Sequence, residues 1–170
     1  TSNLGKGSGW VYVAFVIDAY ARRILGWRCS TSMSTQLVLD ALEQAVWTRQ
    51  RVGASLDSVV AQTDRGSQCV SIRYTERLDE AGIAASVGTV GDSYDNALAE
   101  TINGLYKTEL IKPRGPWRTL DTVEIATAEW VDWFNHRRLY EYCGDIPPAD
   151  LETAYYAQTR AQQELELSNH

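Results

Sequence analysis

Gln62-Thr63-Asp64-Arg65-Gly66-Ser67 and Asp95-Asn96-Ala97-Leu98-Ala99-Glu100 are the stretches on which the fold turns. Thirty-five residues separate Asp64 from Glu100. Asp64 follows the apolar run Ser58-Val59-Val60-Ala61, which reads as a buried strand. Its carboxylate then sits where a strand stops, the usual place for a site in an open α/β sheet. Glu100 is expected on a helix. At 100° per residue, Leu98, Ile102 and Leu105 share one side. Asn96, Glu100, Asn103 and Lys107 share the other, within about 60° of each other. Such a polar side is either an ordinary solvated face or a presented set of one carboxylate, two amides and an ammonium.

Around these words the chain reads as alternating strands and helices. Val11 to Ile17 is a strand, and Arg23 to Ser30 its antiparallel partner across a turn at Asp18 to Arg22. Ser34 or Thr35 caps a helix to about Arg51, with Gly53 as its stop. Leu56 to Thr63 is a strand, Val70 to Ala81 a helix, and Ile83 to Val87 a short strand. A glycine-bearing loop, Gly88 to Ser93, leads to a helix from about Tyr94 to Leu110, which Lys112-Pro113-Arg114-Gly115-Pro116 breaks. Another helix begins at Thr119 or Asp121 and runs to about Asn135, and Pro147-Pro148 starts a last segment with a polar tail after Tyr156. Gly5-Lys6-Gly7-Ser8-Gly9 lacks the full spacing of a phosphate loop and reads as plain loop.

With 170 residues the chain is one domain with room for a core, and 44% hydrophobic and 22% charged content is ordinary for a globular protein. No apolar run reaches the length of a membrane span, and nothing resembles a signal peptide. Cys29, Cys69 and Cys143 are widely spaced and odd in number, which reads as reduced thiols of a cytoplasmic protein. The net charge of −6 is concentrated in residues 141–170, which carry −5 of it. The remainder is close to neutral, which permits nucleic-acid binding without arguing for it. His136 and His170 are the two histidines, with no nucleophile motif near His136, so a serine or cysteine hydrolase is excluded. Trp10, Trp27, Trp130 and Trp133 lie in apolar patterns and read as core; Trp117, in the basic stretch Lys112 to Arg118, is the tryptophan to test against DNA.

Four separated words, in order, resemble the catalytic core of bacterial insertion-sequence transposases, in the superfamily of retroviral integrases. They are Asp18 to Trp27, Thr63 to Gln68, Asp95 to Glu100, and Trp133-Phe134-Asn135-His136-Arg137-Arg138 continuing to Ile146 to Glu152. The resemblance implies a ribonuclease-H-like α/β fold: a mixed five-stranded sheet flanked by helices, its first strand partly or wholly missing here. It implies an integrase-like core over 1–157 and a polar C-terminal tail over 158–170. It implies a DDE transposase that cleaves DNA and transfers strands with Mg²⁺, or Mn²⁺ in its place. Asp64 and Glu100 are then the catalytic acids and metal ligands; Lys107, Asn96 and Arg138 are DNA contacts. Lys107 is otherwise a helix-surface lysine, Asn96 a first-turn amide, and Arg138 a partner in structural pairing.

The expected partners are transposon ends and target DNA, with a homo-oligomer, no membrane, and an upstream helix-turn-helix region. The family's first aspartate precedes the segment matching Gly9 to Val13, and no acid stands before Asp18 here. The expectation is that the chain starts just past that acid and is inactive alone; the alternative is Asp18 as a substitute ligand. Two other functions stay open: a ribonuclease-H-like nuclease that only hydrolyses, and a non-catalytic DNA-binding or assembly fragment.

Overall fold

The structure, a computed structural model, describes residues 2–3, 9–57, 59–63, 71–87 and 93–168, with the backbone alone at 2–3, 87 and 93–96. Asp64, the Asn96 side chain, Cys69 and most of the Gly88 to Ser93 loop lie outside the described residues.

The hairpin comes first. β2 (Trp10–Ile17) pairs antiparallel with β3 (Ile24–Ser30), and β1 (Ser2–Asn3) pairs with the start of β2. Val16 faces Gly26 and Ile17 faces Ile24, so Leu25 is an inserted residue. Side chains alternate across a strand, so one inserted residue exchanges the faces beyond it. That lets both Ile24 and Cys29 enter one core while Gly26 turns to the opposite side. There β3 meets α1 (Thr35–Arg51) so closely that a Cβ on Gly26 would lie 2.1 Å from the Ala41 carbonyl oxygen.

α1 starts where Ser34 Oγ accepts from the Leu37 amide at 3.4 Å, and Gly53 follows its end at φ +70°. β4 (Val60–Thr63) and β5 (Ala84–Val87) are parallel, joined by α2 (Ile72–Glu80), which Ser71 caps. Leu39, Leu42 and Val46 of α1 pack on Tyr74 and Leu78 of α2 and on Ile83. The five strands expected of a ribonuclease-H-like fold are therefore present in the expected order. Among the described residues they form two patches, β1-β2-β3 and β4-β5.

The other core lies beneath α3 (Ser93–Tyr106) and α5 (Leu120–His136). Phe15 on β2, Tyr106, Trp130 and Phe134 form a run of rings with centroids 5.1–5.3 Å apart, two of the contacts edge-on. The buried polar atoms there are satisfied. Tyr106 Oη and Thr127 Oγ1 are 2.8 Å apart, and Thr127 Oγ1 lies 2.7 Å from the Val123 carbonyl. Burial pushes the Tyr106 phenol up and the Cys29 thiol up to about 11.

Several boundaries differ from expectation. β4 covers Val60–Thr63 and not Leu56–Thr63, and Val59 and Val60 are exposed where a buried strand was expected. The helix does not break at Lys112. It continues from α3 through a π turn, Lys107–Ile111, into α4 (Lys112–Arg114), and stops at Gly115. Pro113 follows the π turn directly, two residues before the helix ends at Gly115. Beyond Pro147, α6 (Pro148–Ser168) is one helix, so the polar segment after Tyr156 is helical and exposed. Among the described residues no helix is long and apolar enough to cross a membrane.

Candidate active site

Asp64 is the residue after β4. In the β4–β5 ladder Thr63 stands opposite Val87, so both strands end at one edge of the sheet. Five residues, 88–92, connect that edge to α3, which an extended chain spans in at most about 20 Å. The start of α3 therefore lies within about 20 Å of that edge, the carboxyl end of the parallel strands.

On α3 the expected division of faces is present. Ile102 is fully buried, and Leu98 and Leu105 pack against the same core. Glu100 is exposed on the opposite side, and among the described residues no cation pairs with it. Lys107 is half-buried where α3 passes into the π turn, and it too has no described ion pair. Because α3 is regular to Tyr106, the seven-residue spacing leaves Glu100 and Lys107 within about 20° on one face, about 10 Å apart along the axis.

Arg138 is taken up in structural pairing, one of the two roles its sequence context allowed. Its Nε and Nη2 donate to Glu109 Oε1 at 3.1 and 2.8 Å, and its guanidinium lies 5.0 Å from the Tyr140 ring centre. Glu109 belongs to the π turn and also accepts from the Trp130 indole at 3.1 Å. Thus the carboxylate that ends the Glu100 helix anchors the word around Arg138.

Asp18 is also committed. Its Oδ1 accepts from the Tyr20 and Ala21 amides at 3.0 and 2.6 Å, and its Oδ2 accepts from Arg49 at 2.6 Å. It is the anchor of the hairpin turn, with three donors already on its two oxygens. Trp117 corrects the expectation of a DNA-facing ring. It is buried in the core under α5, and its indole N–H donates to the Ile111 carbonyl at 3.0 Å. Trp10, at 54% exposed, and Trp133, at 37%, correct the reading that placed them in the core. Trp10 shares its face of β2 with Tyr12, away from Val11 and Val13.

Three features escaped the sequence reading. Glu152 on α6 is buried and holds both Arg23 and Arg49, so Arg49 bridges it to Asp18. Asn135 gives its amide to Ile24 reciprocally, accepting from the Ile24 N–H and donating to the Ile24 C=O, both at 2.9 Å, as a neighbouring strand would. Arg22 is buried beside Tyr142. The matching words contain Arg22, Arg23, Asn135 and Glu152 but not Arg49; what these side chains reach is set by partners distant in the chain.

A divalent cation needs several oxygen donors at one point. Glu100 supplies an exposed carboxylate that no cation among the described residues pairs with, and Asp64, the residue after β4 in sequence, is the same kind of donor. Among the described residues no three acidic, histidine or cysteine side chains gather as a metal site.

Comparison with known proteins agrees with this architecture. The family model described as "Integrase core domain" matches residues 2–93, and a second with the same description matches residues 81–148. A putative transposase for insertion sequence element IS986/IS6110 of Mycobacterium tuberculosis is 70% identical over 152 residues, covering 89% of this chain and 55% of that protein. The chain thus spans about half the length of the curated relatives it matches. Among solved structures, the simian T-cell lymphotropic virus intasome chain superposes with a TM-score of 0.65 at 16% identity, over 84% of this chain and 48% of that one. The HTLV-2 integrase catalytic core in complex with magnesium gives 0.58 at 17% identity, over 85% of this chain and 93% of that one.

Proposed function

Since the chain belongs to the integrase core domain family, we propose that it is the catalytic core of a transposase that cuts and joins DNA strands. The observation that carries this reading is topological. β4, which Asp64 follows in sequence, ends beside β5, and five residues connect β5 to the helix bearing Glu100 and Lys107, which supports bringing the two acids together.

Asp64 and Glu100 are the residues that would hold a divalent cation, Mg²⁺ or Mn²⁺. When bound, such a cation polarises phosphoryl oxygens and activates an attacking oxygen. The chain's own residues do the rest. Lys107, on the same face as Glu100, contacts a backbone phosphate of the DNA end and sets how far the strand lies along α3. Asn96, on that face one turn earlier, holds the strand or the Glu100 carboxylate in place. Arg138 contributes through Glu109, by fixing the end of that helix against α5. Two DNA ends have to be brought together for joining, so the working form contains more than one copy of the chain.

The test is strand joining by the parent protein on duplexes carrying its element's ends, in Mg²⁺ or Mn²⁺. Glu100→Gln is expected to reduce joined product by more than the roughly 100-fold typical of losing an outer-shell partner. Undiminished joining by that variant refutes the assignment.

A further inference from the structure

We infer that the cleft between the β2–β3 turn, the first half of α3 and the Tyr140–Tyr142 segment is a binding site for a phosphate group, with Arg22 as its cation. The cleft has a volume of about 210 Å³ and is lined by Arg22, Ala97, Leu98, Thr101, Tyr140 and Tyr142. A space of about 10–15 Å³ on this measure holds one water, so a tetrahedral anion fits with room for solvent.

The reason lies in how the buried cations are neutralised. Among the described residues two arginines are buried, Arg22 at 5% exposed and Arg49 at 8%. Arg49 holds two carboxylates, Glu152 and Asp18. Arg22 holds none. Its guanidinium carbon lies 3.9 Å from the centre of the Tyr142 ring, and among the described residues no carboxylate or carbonyl accepts a hydrogen bond from it. Buried charges are kept where they are paired. The Arg22 side-chain nitrogens are not among the enclosed atoms left without a partner, so its five N–H donors open onto the cleft and take their acceptors there. With none supplied by the described residues, the cleft calls for an acceptor-rich anion from outside.

The walls suit that ligand. Ala97, Leu98 and the tyrosine rings are apolar and strengthen a charge pair by excluding water. No acidic side chain among the described residues lines the cleft. The Thr101 hydroxyl is committed to the Ala97 carbonyl at 2.7 Å, which leaves the Tyr140 and Tyr142 hydroxyls as further donors. The planar guanidinium matches two oxygens of a phosphate at once. Arg22 itself is held at φ +61° in the hairpin turn, a conformation that a non-glycine residue seldom adopts.

Thr101 follows Glu100 on α3, so a DNA strand lying along that helix brings a backbone phosphate to the mouth of the cleft. Only this source of the phosphate rests on the proposed function; a free phosphate is the other. The test therefore has two arms. In the first, thermal unfolding is followed in inorganic phosphate and in chloride of equal ionic strength. In the second, binding of a duplex oligonucleotide is measured against salt concentration. Both use the chain itself, Arg22→Gln, Tyr140→Phe and Lys107→Ala.

Phosphate is expected to raise the melting temperature of the chain and of Lys107→Ala, but not of Arg22→Gln. Arg22→Gln is expected to weaken DNA binding about tenfold and to reduce the salt slope by about one. Phosphate protection that depends on Arg22, without DNA binding, upholds the site and removes the DNA reading. DNA binding that depends on Lys107, with phosphate and DNA responses unchanged in Arg22→Gln, overturns the site and leaves the DNA reading standing. Should Arg22→Gln fail to fold, Tyr140→Phe decides, since it keeps ring and charge and removes one donor. A weakened phosphate response in that variant supports the site, and an unchanged one overturns it.

Discussion

Replacing Glu152 by glutamine tests whether the hairpin, α1 and α6 are held by one shared carboxylate. Glu152 has a side chain 8% exposed, and its two oxygens serve Arg23 and Arg49, themselves 20% and 10% exposed. The substitution keeps the shape and removes the charge. Arg49 retains Asp18 at 2.6 Å, so one guanidinium, that of Arg23, is left uncompensated rather than two. The Arg23 Nε already lacks a hydrogen-bond partner, so nothing nearby takes over. Removing one partner of a buried pair costs about 3–5 kcal/mol, and retention of Asp18 places this case toward the lower figure. For a domain of this size the lower figure is a fall of roughly 6–12 °C in melting temperature. Urea unfolding followed by circular dichroism measures it, with an unchanged denaturant slope as the sign that the native state is otherwise intact. Asp18→Asn is expected to cost less, and the double variant to depart from additivity because both acids share Arg49. A loss below about 1 kcal/mol for Glu152→Gln refutes the idea that this network ties the elements together.

Gly26→Ala is expected to unfold the chain or cost well over the roughly 1–3 kcal/mol of ordinary overpacking, because the new Cβ would meet the α1 backbone at 2.1 and 2.8 Å; soluble expression with native-like urea unfolding would contradict it. Cys29, its thiol raised from 9.0 to about 11 by burial, holds about 100-fold less thiolate than an ordinary cysteine. It should be modified at pH 8 only after denaturation, and mass spectrometry showing labelling within minutes in the native protein would refute this. The Arg77 hydrogen bond holds Glu43 below its usual 4.5, so its contribution is present above that pH and lost as pH falls through the lowered value. The pair is largely solvated, with Glu43 50% exposed, so about 0.2–1 kcal/mol is at stake. Glu43→Gln should be less stable than the parent chain at neutral pH, and the gap should shrink as the pH is taken below 4.5; a gap that does not change with pH would disprove the link.

How far the sequence could be read depended on the range of each interaction. Ser34 and Thr119 announce helix starts because a cap is made within three residues, and both serve as caps. The apolar side of α3 was legible for the same reason, since Leu98, Ile102 and Leu105 repeat at the helical period and meet the core. Trp117 was misplaced because its neighbourhood in sequence is basic, while its neighbourhood in space is the ring cluster under α5. Trp10 was misplaced by an apolar run in which alternate residues face opposite sides. Of the candidate site, the face shared by Glu100 and Lys107 was readable; that Arg138 would be held by Glu109, across 29 residues, was left open.

By itself the sequence determined the order of strands and helices, the polar face of the Glu100 helix and the membership of the chain in its family. Those are properties of local periodicity and of words a few residues long. Only the tertiary structure decided which charges are neutralised and which are not. Arg23 finds Glu152 across 129 residues and Asn135 finds Ile24 across 111, whereas Arg22, one position from Arg23, finds no acid among the described residues. The inserted residue at Leu25 separates the faces of the hairpin, and pairing then follows from which side chains the packed layers bring within hydrogen-bond reach.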